Sequence, residues 1–379
     1  MANTREFTPD KPHATAPHIE QGQAMAFFAF DIGYEVSLDE VGKLLPSLPV
    51  QPLSRKKKTP NYLQYAYAPQ VHFLGETEAF HRFPGQIQAT IFEFGAVSIS
   101  YRWPLATPGN PLPLQGLPLA SLALYERNLE MEARRQVEAL LKQIRPAVTR
   151  PELSDLVEDY YVFIVEQFDT PIAAEEILED YPALMAQTLL FDTENLSKEQ
   201  QKATLTHAIS YYERDLVLID WNASLICDSE YIDTLNVLEL LNVELLEARY
   251  MDALLDKRLK GYEKLIQKSP QQWYMPLYIP YRQAINELAE LRIEASLLEE
   301  RVDNSLKLIG DLYLARVYSA ASEQFYLHTW DNSISKKLDI IANLYQLLTD
   351  RVNTSQGQTL ELIIILLILI EISLNVFSR

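Results

Sequence analysis

The spacing of apolar positions divides the chain into two regimes. Up to the 220s, short apolar runs and strict alternation predict strands. Met25–Phe30 reads as a buried strand. Tyr62–Tyr67 and Val71–Leu74 follow as strands. Ile87–Trp103 reads as a strand pair turning near Gly95, with clean alternation over Val97–Tyr101. Ser37, with Glu40 three residues on, offers a capping box for a short helix that Pro46 and Pro49 stop. A Pro- and Gly-rich loop, 104–118, precedes a long helix ending before Pro146. The order then repeats. Tyr160–Val165 predicts a strand and helical segments run to about Leu205. Ala208–Tyr212 and Leu216–Ile219 then form a second strand pair around Glu213–Asp215. Each pair closes on a tryptophan, Trp103 and Trp221, so 23–103 and 160–228 are expected as two halves of a ferredoxin-like or mixed sheet.

From Tyr231 the period changes to seven. Leu238, Leu241, Leu245, Ala248, Asp252, Leu255, Leu259, Tyr262 and Ile266 alternate spacings of three and four, broken only by the polar Asp252. After Pro270, Pro276 and Pro280 the pattern resumes at Leu288 and Leu291 and continues toward Leu327. Trp330–Ser333 forms a break with good N-cap residues. A third seam, Ile334, Leu338, Ile341, Tyr345, Leu348 and Val352, leads to a loose hinge at 353–358. Three such helices predict an antiparallel coiled-coil stalk over 229–353.

The last stretch has no counterpart elsewhere. Leu362, Ile363, Ile364, Ile365, Leu366, Leu367, Ile368, Leu369 and Ile370 follow one another without interruption, flanked by Glu361 and Glu371. As a helix, Leu360–Phe377 would extend about 27 Å, close to a bilayer's hydrocarbon thickness. The aliphatic residues contribute about −6 kcal/mol on an insertion scale, and a deep, charged Glu371 costs about 2 to 3. Residues 354–379 are therefore expected to be a C-terminal transmembrane helix that anchors the chain. The alternative is a terminal helix buried in an oligomer.

Composition narrows the partners. A net charge of −19, from 52 acidic and 33 basic residues, opposes general nucleic-acid binding. It favours basic partners instead. The single cysteine, Cys227, excludes internal disulfides and a multi-cysteine zinc site within one chain. Residues 1–22 carry mixed charge and read as a disordered leader, neither secretory signal nor transit peptide. The α+β body, 23–228, is then expected in the cytoplasm.

Candidate chemistry is sparse. Glu239, Asn242, Glu244, Glu247 and Arg249 crowd the first heptad helix and read as a solvated face, with Asp252 setting the register. The sharper reading has Glu244, Arg249 and Asp252 lining a shared polar pocket. Arg55, Lys56, Lys57 and Lys58 read as a solvated loop, with anionic headgroups or RNA as their functional contact. His72 and His81 lack metal-ligand spacing, and Cys227 with His207 would need spatial contact to form a catalytic pair. No nucleotide-binding or nucleophile-elbow motif occurs, and no cofactor is expected.

Trp330, Lys337–Ile341, Tyr345–Asp350 and Leu360–Ile372 resemble the C-terminal part of the "required for meiotic nuclear division" family, and Phe92–Val97 resembles its aromatic-Gly-Val strand motif. The resemblance implies an anchored, oligomeric protein without an assigned enzymatic activity. Some members support translation at the mitochondrial inner membrane, so a ribosome-associated partner and a bacterial cytoplasmic-membrane location are implied here. The combined expectation is a membrane-tethered, non-catalytic, homo-oligomeric scaffold or assembly factor. A cation-channel subunit resembling the CorA type, with Glu371 in an oligomeric pore, is the first alternative, although no Gly-Met-Asn signature is present. A hydrolase with a site between sheet and stalk is the second.

Overall fold

A computed structural model describes residues 17–45, 69–268, 285–289, 291, 293 and 312–377. The chain divides into two compact units. The first comprises Met1–Leu246 and Ile309–Phe325, the second Glu247–Leu308 and Tyr326–Arg379. The long helix that opens the heptad region runs through this division, and residues 309–325 return to the first unit.

The first unit is built on β1 (His18–Asp31), which pairs with β5 (Ala96–Ala106) on one side and β8 (Glu158–Phe168) on the other, both antiparallel. Beyond β5 lie β4 (Phe83–Ile91) and the edge strand β3 (Gln70–Phe80). Beyond β8 lie β11 (Ala223–Cys227), β10 (Leu216–Ile219) and β9 (His207–Ile209). β6 (Leu112–Pro113) adds to the start of β1, and β2 (Glu35–Val36) pairs with β7 (Val148–Thr149) in a separate ladder. The main sheet is mixed, since β8 and β11 run parallel. The first strand of each predicted half, β1 and β8, stands side by side at its centre.

Both faces of the sheet are covered, which explains the continuous apolar run at Met25–Phe30. On one face Ala24, Ala26, Phe28 and Phe30 join Tyr161 and Phe163 in a core. It is closed by α2 (Leu117–Tyr125), α3 (Glu130–Ile144) and α5 (Pro182–Leu189), with α4 (Ala174–Asp180) and α6 (Lys198–Thr204) beside them. On the other face Ala29, Phe92, Phe94 and Ala96 pack on Leu240, Val243 and Leu246 of α7 (Ile232–Lys268). α8 (Leu312–Gln324) follows, with Phe325 against Tyr160 at a centroid distance of 5.0 Å. The architecture is α+β, one large mixed sheet followed by C-terminal helices.

Glycine is required at the β4–β5 turn. Gly95 has φ +98°, and a Cβ there would lie 1.8 Å from the Gly33 carbonyl oxygen. The close approach lets Ile32 N–H donate to Gly95 O at 2.8 Å, tying two loops together.

Several local expectations give way to tertiary contacts. β1 starts at His18, inside the segment read as leader, because its first residues pair with β6 and β8. Ser37 occupies the N-cap of α1 (Leu38–Leu44) with extended backbone but makes no side-chain cap hydrogen bond. β11 follows Trp221 and is the strand the second half lacked. The two tryptophans differ accordingly: Trp103 is fully buried in β5, while Trp221 lies in the β10–β11 turn and is 40% exposed. Trp330–Ser333 does not break the helix, since α9 runs unbroken from Leu327 to Phe377, through 353–358 as well. The break falls instead at Tyr326, which adopts φ +54°. The strand expected at Tyr62–Tyr67 lies outside the described residues.

Among the described residues, no helix is long and apolar enough to cross a membrane. This overturns the transmembrane tail anchor expected at 354–379, the lipid bilayer as a partner, and single-pass placement in a bacterial cytoplasmic membrane. The physical reason is the pair of carboxylates. Between Glu361 and Glu371 the uninterrupted apolar run is Leu362–Ile370, about 14 Å of helix against roughly 30 Å of hydrocarbon.

Candidate functional site

In the second unit the heptad seams meet. Met251, Leu255 and Tyr262 of α7 bury with Ile341 of α9 and with Leu288 and Leu291 of the helical stretch between them in sequence, and Leu259, Ile334 and Leu338 pack beside them. Inside this seam Asp252 is paired. Lys337 Nζ lies 2.7 Å from its carboxylate and 2.7 Å from that of Asp256, while Ser333 Oγ donates to Asp252 at 2.7 Å. Burial pulls the Lys337 ammonium down, but the two aspartates outweigh it and raise its pKa. Lys337 in turn holds the Asp256 carboxyl below its ordinary value. The contacts advance from 252 to 256 and from 333 to 337 together, which sets one register between α7 and α9. Ser333 thus serves a partner helix instead of capping its own.

Beyond this seam α9 carries its aliphatic segment in the open. Ile363 to Ile370 are each between 47% and 60% exposed, with Glu361 and Glu371 exposed at either end. At 100° per residue, eight consecutive apolar residues cover every side of the helix. Such a helix is stable in water only when other surfaces bury it.

In the first unit, the acidic face of α7 is not solvated. Glu239 is 9% exposed, Asn242 1% and Glu244 3%. The reason lies across from them, where β4 and β5 present Thr90, Ser98 and Ser100, all buried. Asn242 Nδ2 donates to Glu158 O at 3.1 Å and Tyr318 of α8 donates to Glu244 at 3.0 Å. Burial pushes the Glu239 carboxyl up to about 7, with the Ser98 and Thr90 hydroxyls acting in the opposite sense. Glu247, in the second unit, is also buried. At the start of α7, Tyr231 receives Arg102 Nη2 at 2.7 Å and Gln23 Nε2 at 2.8 Å, and Gln23 also reaches Glu166. Burial raises the Tyr231 phenol against the Arg102 guanidinium. These contacts fix the helix onto β1, β5 and β8.

Of the three residues read as one polar pocket, Glu244 is held in the first unit, and the half-buried Arg249 and Asp252 belong to the second. Arg55, Lys56, Lys57 and Lys58 lie outside the described residues. Cys227 of β11 pairs opposite Leu216 and His207 of β9 opposite Ile219, so β10 lies between them and they are offset by a further ~10 Å along it. His72 is buried, with Nε2 3.2 Å from Gln70 Oε1, and burial lowers its pKa. His81 forms the β3–β4 turn with φ +43°. Among the described residues no three His, Cys, Asp or Glu side chains group as metal ligands. Sequence reasoning missed Lys337 and Ser333. A polar residue in an apolar seam calls for a facing partner, and the third seam carries Lys337 next to Leu338.

Comparison with known proteins points to the sheet body. The family model described as "Uncharacterized protein MJ0711, N-terminal domain" matches residues 21–233. Uncharacterized protein MJ0711 of Methanocaldococcus jannaschii is 22% identical over 268 residues, covering 67% of this chain and 80% of its own. No solved structure matches. The resemblance to the "required for meiotic nuclear division" family is thereby overturned, since nothing at the C-terminus supports it. Its motif was largely a run of Ile and Leu, which any strongly apolar helix can share.

Proposed function

The chain belongs to the MJ0711 N-terminal-domain family, and on that footing we propose that it is a non-catalytic scaffold or assembly protein that self-associates through α9. The observation that carries this reading is the exposed aliphatic ring Ile363–Ile370. Fully burying one such side chain stabilises by about 1.5–3 kcal/mol, so eight offer more than 10 kcal/mol gross. Association costs roughly 4–15 kcal/mol in lost freedom, leaving a favourable balance for an assembly at micromolar concentration. One neighbouring helix covers only one stripe, so the apolar ring favours three or more copies over a pair. The paired Asp252, Lys337 and Ser333 support this by fixing the register of the helices that carry the segment.

The test is the mass in solution. Sedimentation equilibrium of the full chain at about 10 μM, in buffer without detergent, is expected to show a multiple of the chain mass. Ile365→Lys with Leu369→Lys should return it to a single chain with unchanged circular dichroism. A monomeric wild type, or an oligomer indifferent to both lysines, would refute the reading.

A further inference from the structure

The side of α9 that α7 covers continues past the point where α7 ends. Asp252 meets Ser333 and Asp256 meets Lys337, so within the second unit the two helices run parallel at a constant offset. At that offset Lys268, the last residue of α7, comes level with Thr349. α9 goes on to Phe377, and Ile363 stands about 20 Å farther along it.

The two stretches of α9 share one register. Ile334, Leu338 and Ile341 hold the a and d positions of the seam against α7. Four heptads on from Leu338 and Ile341 stand Leu366 and Leu369. An untwisted helix drifts about 20° per heptad, so a left-handed supercoil is what keeps such positions facing a partner. Equivalent positions differ sharply in cover. Ile341, beside α7, is 1% exposed, whereas Leu366 is 60% and Leu369 58% exposed. Ile363, Ile365, Ile370 and Ile372 fill the flanking e and g positions. Glu361 and Glu371 fall on c and f, the side turned away, and are the only ionisable side chains from Val352 to Ser378.

From this continuity we infer that identical chains meet along the Leu366–Leu369 side of α9, where a second copy takes the place that α7 holds upstream. The inference rests on self-association through α9 and assigns the side of the helix that carries it. The charges suit identical partners. With both carboxylates on the outer side, like segments close on one another without burying Glu361 or Glu371. Turned inward, those unpaired anions would oppose association strongly. The aliphatic e and g positions widen the stripe beyond a narrow two-helix seam, so more than one copy can pack on each helix.

Sedimentation equilibrium of the full chain tests this with two lysine pairs. Leu366→Lys with Leu369→Lys puts two charges on the seam. Ile364→Lys with Ile368→Lys puts the same two on the outer side, among Glu361 and Glu371. Both pairs remove comparable apolar surface, so a difference between them reports the side of the helix and not total hydrophobicity. The seam pair is expected to sediment as a single chain. The outer pair should keep the wild-type mass, with a dissociation constant within about threefold of it. Circular dichroism matching wild type excludes loss of the helix in either variant. Dissociation by the outer pair alone, or by both pairs equally, would overturn the assigned side while leaving self-association through α9 standing. Assembly indifferent to either pair, or a single-chain wild type, would overturn both.

Discussion

Glu239→Gln isolates the most consequential buried charge. The carboxyl is 9% exposed, faces the hydroxyls of Thr90 and Ser98, and titrates at about 7 instead of 4.5. Protonated, it is a neutral hydrogen-bonding group. Ionised, it is a buried anion between α7 and the sheet. Its folded-state pKa is raised, so the stability it leaves intact below about pH 4.5 is lost as pH climbs toward 7, and the loss is constant above that. A rise from 4.5 to about 7 corresponds to roughly 3 kcal/mol, an upper bound because water reaching the site would relax it. Glutamine has the shape of the neutral acid and cannot ionise. The variant should therefore match wild type at pH 4.5 and exceed it by up to about 3 kcal/mol at pH 8. Urea unfolding at several pH values, followed by the fluorescence of Trp103, buried in the core on the other face of the same sheet, measures the difference. A gap between the two proteins that does not change with pH would refute the assignment, as would a variant less stable at every pH.

Lys337→Met should destabilise the second unit by about 1–3 kcal/mol, because Asp252 then loses its cation inside the seam; Lys337→Arg should restore most of it. A thermal melt of each variant decides this, and an unchanged midpoint for the methionine variant would remove the register role. Cys227, whose thiol burial and then Asp228 push up to about 12, should resist a thiol reagent at pH 8 in the native protein and react after unfolding in urea. Rapid modification of the folded chain would contradict its burial.

Legibility differed by element. β1, β5 and β8 were readable because Met25–Phe30, Val97–Tyr101 and Tyr160–Val165 carry strand-type apolar patterns. The seam residues Leu255, Tyr262, Leu288, Leu291 and Ile341 were readable for the same reason at a period of seven. β11 was not, since the five-residue run Ala223–Cys227 after a turn does not reveal that it pairs parallel to β8.

By itself the sequence determined where apolar faces recur, and with them the α+β body and the helices that follow it. Periodicity reports which residues need cover; it is silent about what supplies it. Only the tertiary structure decided that Glu239 and Glu244 are buried, because their environment is made by Thr90, Ser98 and Tyr318, distant in the chain. It alone paired Asp252 with Lys337 across 85 residues, and stacked Tyr125 on Phe191. Charges and rings acquire their roles from neighbours that folding brings to them.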